Sequence, residues 1–187
     1  MSKAKNIPAL RFPEFGGEWE EKKLGELAKN ISSGKSKVRD VSGNYPLYGS
    51  TGIIGYSDYC EYSGKTILIA RVGANAGSLY KVDGDYCVTD NTLILNLSNS
   101  VDADFIYYKL IEFNLNKLVF GSGQPLITGG SLKELDTNLP VFLEQKKIAN
   151  FLTAIDEKLQ ALKKKKALLE QYKKGVMQKN ILWGTAL

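Results

Sequence analysis

The sequence predicts an α+β fold, a globular domain with a mixed or antiparallel sheet followed by a long C-terminal coiled-coil helix. Three observations carry that reading. Between residues 45 and 97 short β-rich runs alternate with turn residues, as in a sheet joined by Gly-rich turns. From residue 143 to 180 apolar residues recur at alternating steps of three and four, the spacing of one helix face. The chain has 187 residues, 43% hydrophobic and 10% aromatic, enough for one packed core with an appendage.

The elements follow in chain order. "PALRFPEFGGEWEEKKLGELAKNISSGKSKVRD" mixes the aromatic anchors Phe12, Phe15 and Trp19 with a Gly-Gly pair and an amphipathic turn at Leu24 and Leu27. It reads as a segment packing on a domain edge. The runs "YPLYG", "GIIGY", "KTILIA", "SLYKV", "DYCVTD" and "NTLILNL" are the expected strands. "SVDADFIYYKLIEFNLNKL" predicts a helix with Asp102 or Asp104 as N-cap and Ile106, Leu110 and Phe113 on its apolar face. "GSGQPLITGGSLKEL" reads as a Gly-rich loop leading to a short helical turn, and "TNLPVF" as a last strand. The expected domain spans residues 1–142, the helix 143–180, and a tail 181–187.

On that helix Ile148, Leu152, Ile155, Leu159, Leu162, Leu169, Tyr172 and Val176 form a stripe, broken once at Lys166. At 1.5 Å per residue such a helix reaches roughly 50 Å, beyond the radius of a domain of this size. Much of the stripe must therefore find a partner helix. The "KKKK" at 163–166 reads as a solvated face flanking that seam rather than as a DNA-contacting arm.

Composition excludes several functions. The chain has no histidine, which removes the usual general base, metal ligand and partner of a serine or cysteine nucleophile. Cys60 and Cys87 read as reduced, partly buried small hydrophobes. No apolar run approaches the roughly eighteen residues of a membrane helix. "MSKAKNIPAL" carries no apolar stretch of a secretory signal, so a cytoplasmic protein is expected. The net charge of +5 is uneven: residues 144–180 hold ten lysines against four acids, leaving fifteen basic and sixteen acidic residues elsewhere. The body is nearly neutral and the positive excess sits on the final helix.

Three stretches, in the right order, carry a family resemblance. "PALRFPEFGGEWEEKKLGEL", "GKTILIARVGANAGSLYKVDGDYCVTDNTLIL" and "LPVFLEQKKIANFLTAIDEKLQALKKKKALLEQYKKGVMQK" resemble the specificity subunits of type I restriction-modification systems, over nearly the whole chain to about residue 179. The most specific element is the helix start marked by Pro140, Glu144, Gln145, Ile148 and Ala149. The resemblance implies target recognition domains, each followed by a long helix, with two helices packed antiparallel as a spacer. It implies a non-catalytic subunit that reads double-stranded DNA and recruits modification subunits, which methylate adenine, and restriction subunits, which translocate and cut DNA. S-adenosylmethionine, ATP and Mg would then belong to those partners and no cofactor to this chain. With one domain and one helix, the chain looks like a half-size form that dimerises with itself or pairs with another half subunit. The end "NILWGTAL" does not resemble a continuation into a second half, and both a natural half subunit and a truncated remnant fit it.

DNA reading needs phosphate donors and polar side chains that reach base edges. The basic loop "SSGKSKVRD" offers Lys35, Ser36, Lys37 and Arg39, or is an ordinary exposed turn. "YGSTGIIGY" offers Tyr48, Ser50, Thr51 and Tyr56 on a Gly-punctuated turn that admits a phosphate backbone, or turn chemistry alone. In "ARVGANAG", Arg71 and Asn75 are candidates, Arg71 for backbone contact because family members with different targets share this stretch. In "GSGQPLITGG", Ser122, Gln124 and Thr128 either contact DNA or satisfy the loop itself. No catalytic or metal residues are assigned. The Asn/Asp-Pro-Pro-Tyr/Phe methylase signature and a nucleoside-triphosphate P-loop are missing, and a nuclease pattern on Pro13, Glu14, Glu20 and Lys22 is a chance match. The alternative is a coiled-coil interaction protein, decoy, regulator or remnant, that pairs with full specificity subunits without reading DNA; the near-neutral body favours it somewhat.

Overall fold

The computed structural model describes residues 7–37, 43–120 and 125–183, with the side chains of the last helix up to Gln178. The chain divides into two compact units, Met1–Ala149 and Asn150–Leu187.

The first unit is an α+β domain built on three sheets. Strands β1 (Glu20–Lys23) and β10 (Asp136–Leu139) form an antiparallel pair. Strands β2 (Ala28–Ser33), β9 (Thr92–Leu97), β6 (Thr66–Ala70) and β7 (Leu79–Val82) form an antiparallel sheet in that spatial order. Strands β4 (Gly52–Ser57), β3 (Tyr45–Gly49), β8 (Asp85–Val88) and β5 (Tyr62–Ser63) form a mixed sheet, its β3–β8 pair parallel. Every strand run expected from the sequence is present. Strands β1, β2 and β5 are additional: β1 is entirely charged, β2 buries only Ile31, and β5 has two residues.

Strand β6, "TILIA", is buried along its whole length. Because side chains alternate across a strand, Ile67 and Ile69 join one core and Leu68 another. The larger core gathers Leu93, Leu95, the short helix α1 (Leu24–Leu27) and Phe105, Ile106 and Leu110 of helix α2 (Ala103–Phe113). The smaller core holds Leu68, Ile94, Tyr86 and Val88. Asp102 is the N-cap of α2, its carboxylate accepting from the Phe105 N–H at 2.9 Å. Asp104 pairs with Lys65 at 2.5 Å and Lys81 at 3.2 Å. Burial pushes the Asp104 carboxyl up, but hydrogen bonds to the two ammonium groups outweigh burial and hold it below its usual value.

The last strand ends at Leu139, short of the expected "TNLPVF", and helix α4 (Phe142–Trp183) starts three residues later. Pro140 has no N–H to extend the ladder, and the Val141 carbonyl already accepts from Glu144 and Gln145 N–H groups. The first turns of α4 belong to the domain. Glu144 has no solvent exposure and is gripped by both ends of the Arg11 guanidinium, at 2.7 and 2.6 Å. The Gln145 amide donates to the Pro140 carbonyl at 2.9 Å, and its Oε1 accepts from the Asp102 N–H at 2.9 Å. Ala149 is in the larger core and Ile148 packs against it.

The second unit is the continuation of α4. Ile155, Leu159, Leu162, Leu169, Tyr172 and Val176 of the stripe are exposed there, between 39% and 72%. No helix among the described residues is long and apolar enough to cross a membrane.

Gln145→Ala strips a buried N–H and a buried carbonyl of their partner, a loss of about 1–3 kcal/mol. Urea unfolding should show a lower midpoint with an unchanged slope, whereas Gln171→Ala, on an exposed position, should stay within about 0.5 kcal/mol of the parent.

Candidate nucleic-acid interface

The two loops that the sequence marks as polar meet in one place. Lys35, Ser36 and Lys37, which follow β2, and Ser50 and Thr51, the two-residue turn between β3 and β4, line a single open groove of about 340 Å³. Gly49, Ile54 and the turn residues Thr89, Asp90 and Asn91 complete its walls.

The groove lies where the four-stranded sheets part. Strand β8 belongs to one and β9 to the other, so the turn Thr89–Thr92 crosses between them. Strand β2 pairs with β9 up to Ser33↔Leu93, and the chain then reaches the other sheet through the Ser36↔Thr89 bridge. Close approach makes this possible at Gly34, where a Cβ would sit 2.1 Å from the Val88 carbonyl oxygen. The Gly34 N–H donates to the Thr92 carbonyl at 3.1 Å, and Ser36 N–H to that of Val88 at 2.9 Å. On the other wall, Gly52 holds φ +92 to close the hairpin, and the Tyr80 hydroxyl donates to the Ser50 carbonyl at 3.0 Å.

The expected site residues fall into three groups. Lys35, Lys37, Ser50 and Thr51 have no side-chain hydrogen bond or ion pair among the described residues, and the lysines are exposed. Ser36 is engaged within the domain: its hydroxyl donates to Glu61 at 2.5 Å and accepts from the Val88 N–H at 3.0 Å. Tyr48, on the same hairpin, packs edge-on against Tyr86 at 6.3 Å, and burial raises its phenol pKa, with a smaller contribution from Tyr56. Tyr56 is 44% exposed on β4.

Arg71 and Asn75 lie on the turn after β6, off the groove lining. Arg71 touches the groove through its backbone, donating its N–H to the Asn91 carbonyl at 2.9 Å. Its side-chain Nε is buried without a hydrogen-bond partner among the described residues. Thr128 is the N-cap of helix α3 (Gly129–Lys133), in a reciprocal capping box with Ser131. Arg39, Ser122 and Gln124 lie outside the described residues. Asp90 and Asn91 escape sequence reasoning. Their signal is faint: a polar "TDNT" between two β-runs, the composition of any turn.

Comparison with known proteins puts this arrangement in a family. Residues 16–171 match the type I restriction modification DNA specificity domain. The chain belongs to that family. The specificity domain is 29% identical to the type I restriction enzyme EcoprrI specificity subunit of Escherichia coli, over 79% of this chain and 38% of that one. It is 28% identical to the MjaVIII specificity subunit of Methanocaldococcus jannaschii, over 94% of this chain and 44% of that one. Its fold matches the crystal structure of the type I restriction-modification system S subunit from M. genitalium with a TM-score of 0.68 at 22% identity, over 86% of this chain and 44% of that one. This chain thus spans less than half the length of these relatives.

In this specificity domain Gly34→Ala forces a methyl group onto backbone that cannot give way. Overpacking of this kind costs about 1–3 kcal/mol or more, and urea unfolding should show it. Gly16→Ala is the comparison, since Gly16, like Gly34, lacks a positive φ but has open space at its Cβ.

Proposed function

We propose that the chain is a non-catalytic, sequence-specific DNA recognition subunit of a type I restriction-modification enzyme, a half subunit that reads one half of a bipartite target. The observation that carries this reading is the groove between the sheets. Two separate polar segments converge there, their lysines unpaired within the described chain, in a protein of the specificity-domain family. Several other lysines of the domain are matched to acids, Lys23 to Glu134, Lys65 and Lys81 to Asp104 and Lys109 to Glu112, while Lys29 bonds Asn99 and Lys117 and Lys133 have no ion pair among the described residues. Free lysines at a groove rim suit phosphate oxygens, and the Arg71 side chain, from the neighbouring turn, suits another. Tyr56 flanks the same hairpin. Asn75 and Thr128 stand outside the groove, and a role for them in reading DNA rests on the resemblance alone.

In this reading the exposed stripe of α4 is the dimer seam, closing on a second copy or another half by a two-fold axis, with the paired helices as spacer. Leu152 opens that seam, because Ile148 packs against the domain core. The helices also dock the adenine methyltransferase and restriction subunits, which bring S-adenosylmethionine, ATP and Mg.

Two measurements test it. Lys35→Ala with Lys37→Ala should weaken binding to duplex DNA of any sequence and lower the slope of log K against log salt by about 1 for each phosphate no longer neutralised; Arg71→Ala should act the same way. A defect confined to one base position would contradict phosphate binding. Ile155→Asp with Leu159→Asp should turn dimers into monomers in analytical ultracentrifugation, and an unchanged mass would remove the seam.

A further inference from the structure

The exposed part of α4 presents two different surfaces along its length. Ile155, Leu162, Leu169 and Val176 stand seven apart and are all aliphatic. The positions that alternate with them by threes and fours are Leu152, Leu159, Lys166 and Lys173, with Tyr172 beside the last. One half of the seam is therefore aliphatic, and the other carries a lysine at every second position. The side chains of Lys166 and Glu170 are 78% and 68% exposed and 3.8 Å apart, a pair of the kind that contributes little. From residue 150 to residue 178 seven lysines stand against three acids.

A second copy fits the lysine half poorly. A lysine at a seam position restricts which helix can face it, at a cost in stability. An antiparallel pair that buries Leu152 to Val176 on itself has its two-fold axis at Lys164, midway between them. The two Lys166 residues then lie on either side of that axis, about 6 Å apart along the helices at 1.5 Å per residue. Ammonium groups at that separation repel, and the lysine surplus of each helix adds to the repulsion. A parallel pair sets Lys166 against Lys166 and Lys173 against Lys173. Carboxylates facing these positions reverse the sign of the interaction and leave the aliphatic contacts intact. Leu169 separates the two lysines, so the surface suits an apolar helix with spaced acids better than the continuous phosphates of a duplex.

We infer that the lysine half of the seam takes an acidic helix of another chain, with its own apolar stripe and carboxylates facing Lys166 and Lys173, in preference to a second copy. This rests on the exposed stripe being a pairing seam. The test uses three full-length chains: the parent, Lys166→Glu with Lys173→Glu, and Lys166→Leu with Lys173→Leu. The glutamate variant, fluorescently labelled, stands in for the acidic partner, and sedimentation gives the dissociation constant of each combination. The parent should bind the glutamate variant about fivefold or more tighter than it binds itself. Rising salt should loosen the mixed pair and tighten the parent's self-pair, since screening weakens attraction and repulsion alike. The leucine variant should pair with itself more tightly than the parent does. If the mixed pair is no tighter than the self-pairs and the leucine variant no tighter than the parent, the inference is overturned while the seam stands. If the glutamate variant pairs like the parent but loses affinity for duplex DNA, the lysines serve nucleic acid and the inference fails. If no combination pairs at all, the seam itself falls first and this inference with it.

Discussion

Glu144 is a carboxylate with no exposure to water, and much of the domain is arranged around that fact. A buried charge is tolerated only when it is paired and hydrogen-bonded. Arg11 supplies the pair through a two-pronged contact, and the same guanidinium donates to the carbonyls of Gly16 and Gly17. The segment from Arg11 to Gly17 is thereby folded over the start of α4, and Trp19 follows it onto Phe105, ring centroids 6.0 Å apart. Gln145, the next residue, ties α4 to the N-terminus of α2 and to the end of β10. Two adjacent side chains thus fasten three parts of the chain that are distant in sequence: the Arg11–Gly17 segment, the N-terminus of α2, and the junction of β10 with α4. The Glu-Gln pair that marks the helix start is a structural knot, and needs no ligand to explain it.

The same requirement operates where the sheets part. A chain crossing from one sheet to another leaves N–H and carbonyl groups without ladder partners, and buried groups of that kind must be paired. Here they pair with one another: Gly34 with Thr92, Ser36 with Val88, Thr89 with Tyr48, Arg71 with Asn91. Satisfying the backbone leaves the side chains at the surface uncommitted. The groove is therefore a by-product of how the sheets are joined, and its floor is stiff because the crossing segments are bonded to one another. Thr89 and Thr92 are the exceptions, buried with unbonded hydroxyls among the described residues. For Thr92, at 0% exposure, the structure offers no ligand-related reason.

How much of this is legible in the sequence depends on whether periodicity or topology carries the information. The α+β class, the central strands, α2 and the long helix follow from apolar spacing, and all are present; of the two cap candidates for α2, Asp102 and Asp104, the structure uses Asp102. Strand β1 is illegible because "EEKK" has no apolar alternation and exists through its pairing with β10. Strand β2 has one buried residue, too few to register. In the site, the polar loops at Lys35–Lys37 and Ser50–Thr51 are visible singly, but their meeting is a property of sheet order. Composition likewise cannot see that the Ser36 hydroxyl is bonded to Glu61 and Val88, or that Thr128 is a helix cap. Cys60, expected to be partly buried, is exposed, because it sits in the loop ahead of the short β5, whereas Cys87 is buried within β8.

If the domain binds DNA as proposed, its near-neutral body must place its charges with care. Several acids near the surface are matched by a base: Glu14 by Lys147, Glu20 by Lys22, Glu134 by Lys23. Such exposed pairs contribute little to stability. Their effect is to cancel fields locally, so that the unpaired lysines at the groove are not diluted by a general positive surface. A small number of phosphate contacts gives weak non-specific affinity and a shallow salt dependence. Under the proposed reading, discrimination would come from contacts in the groove rather than from bulk charge, and a second copy engaging a second half-site would raise affinity by effective concentration without any new contact in the groove. On these grounds neutrality of the body is compatible with DNA reading.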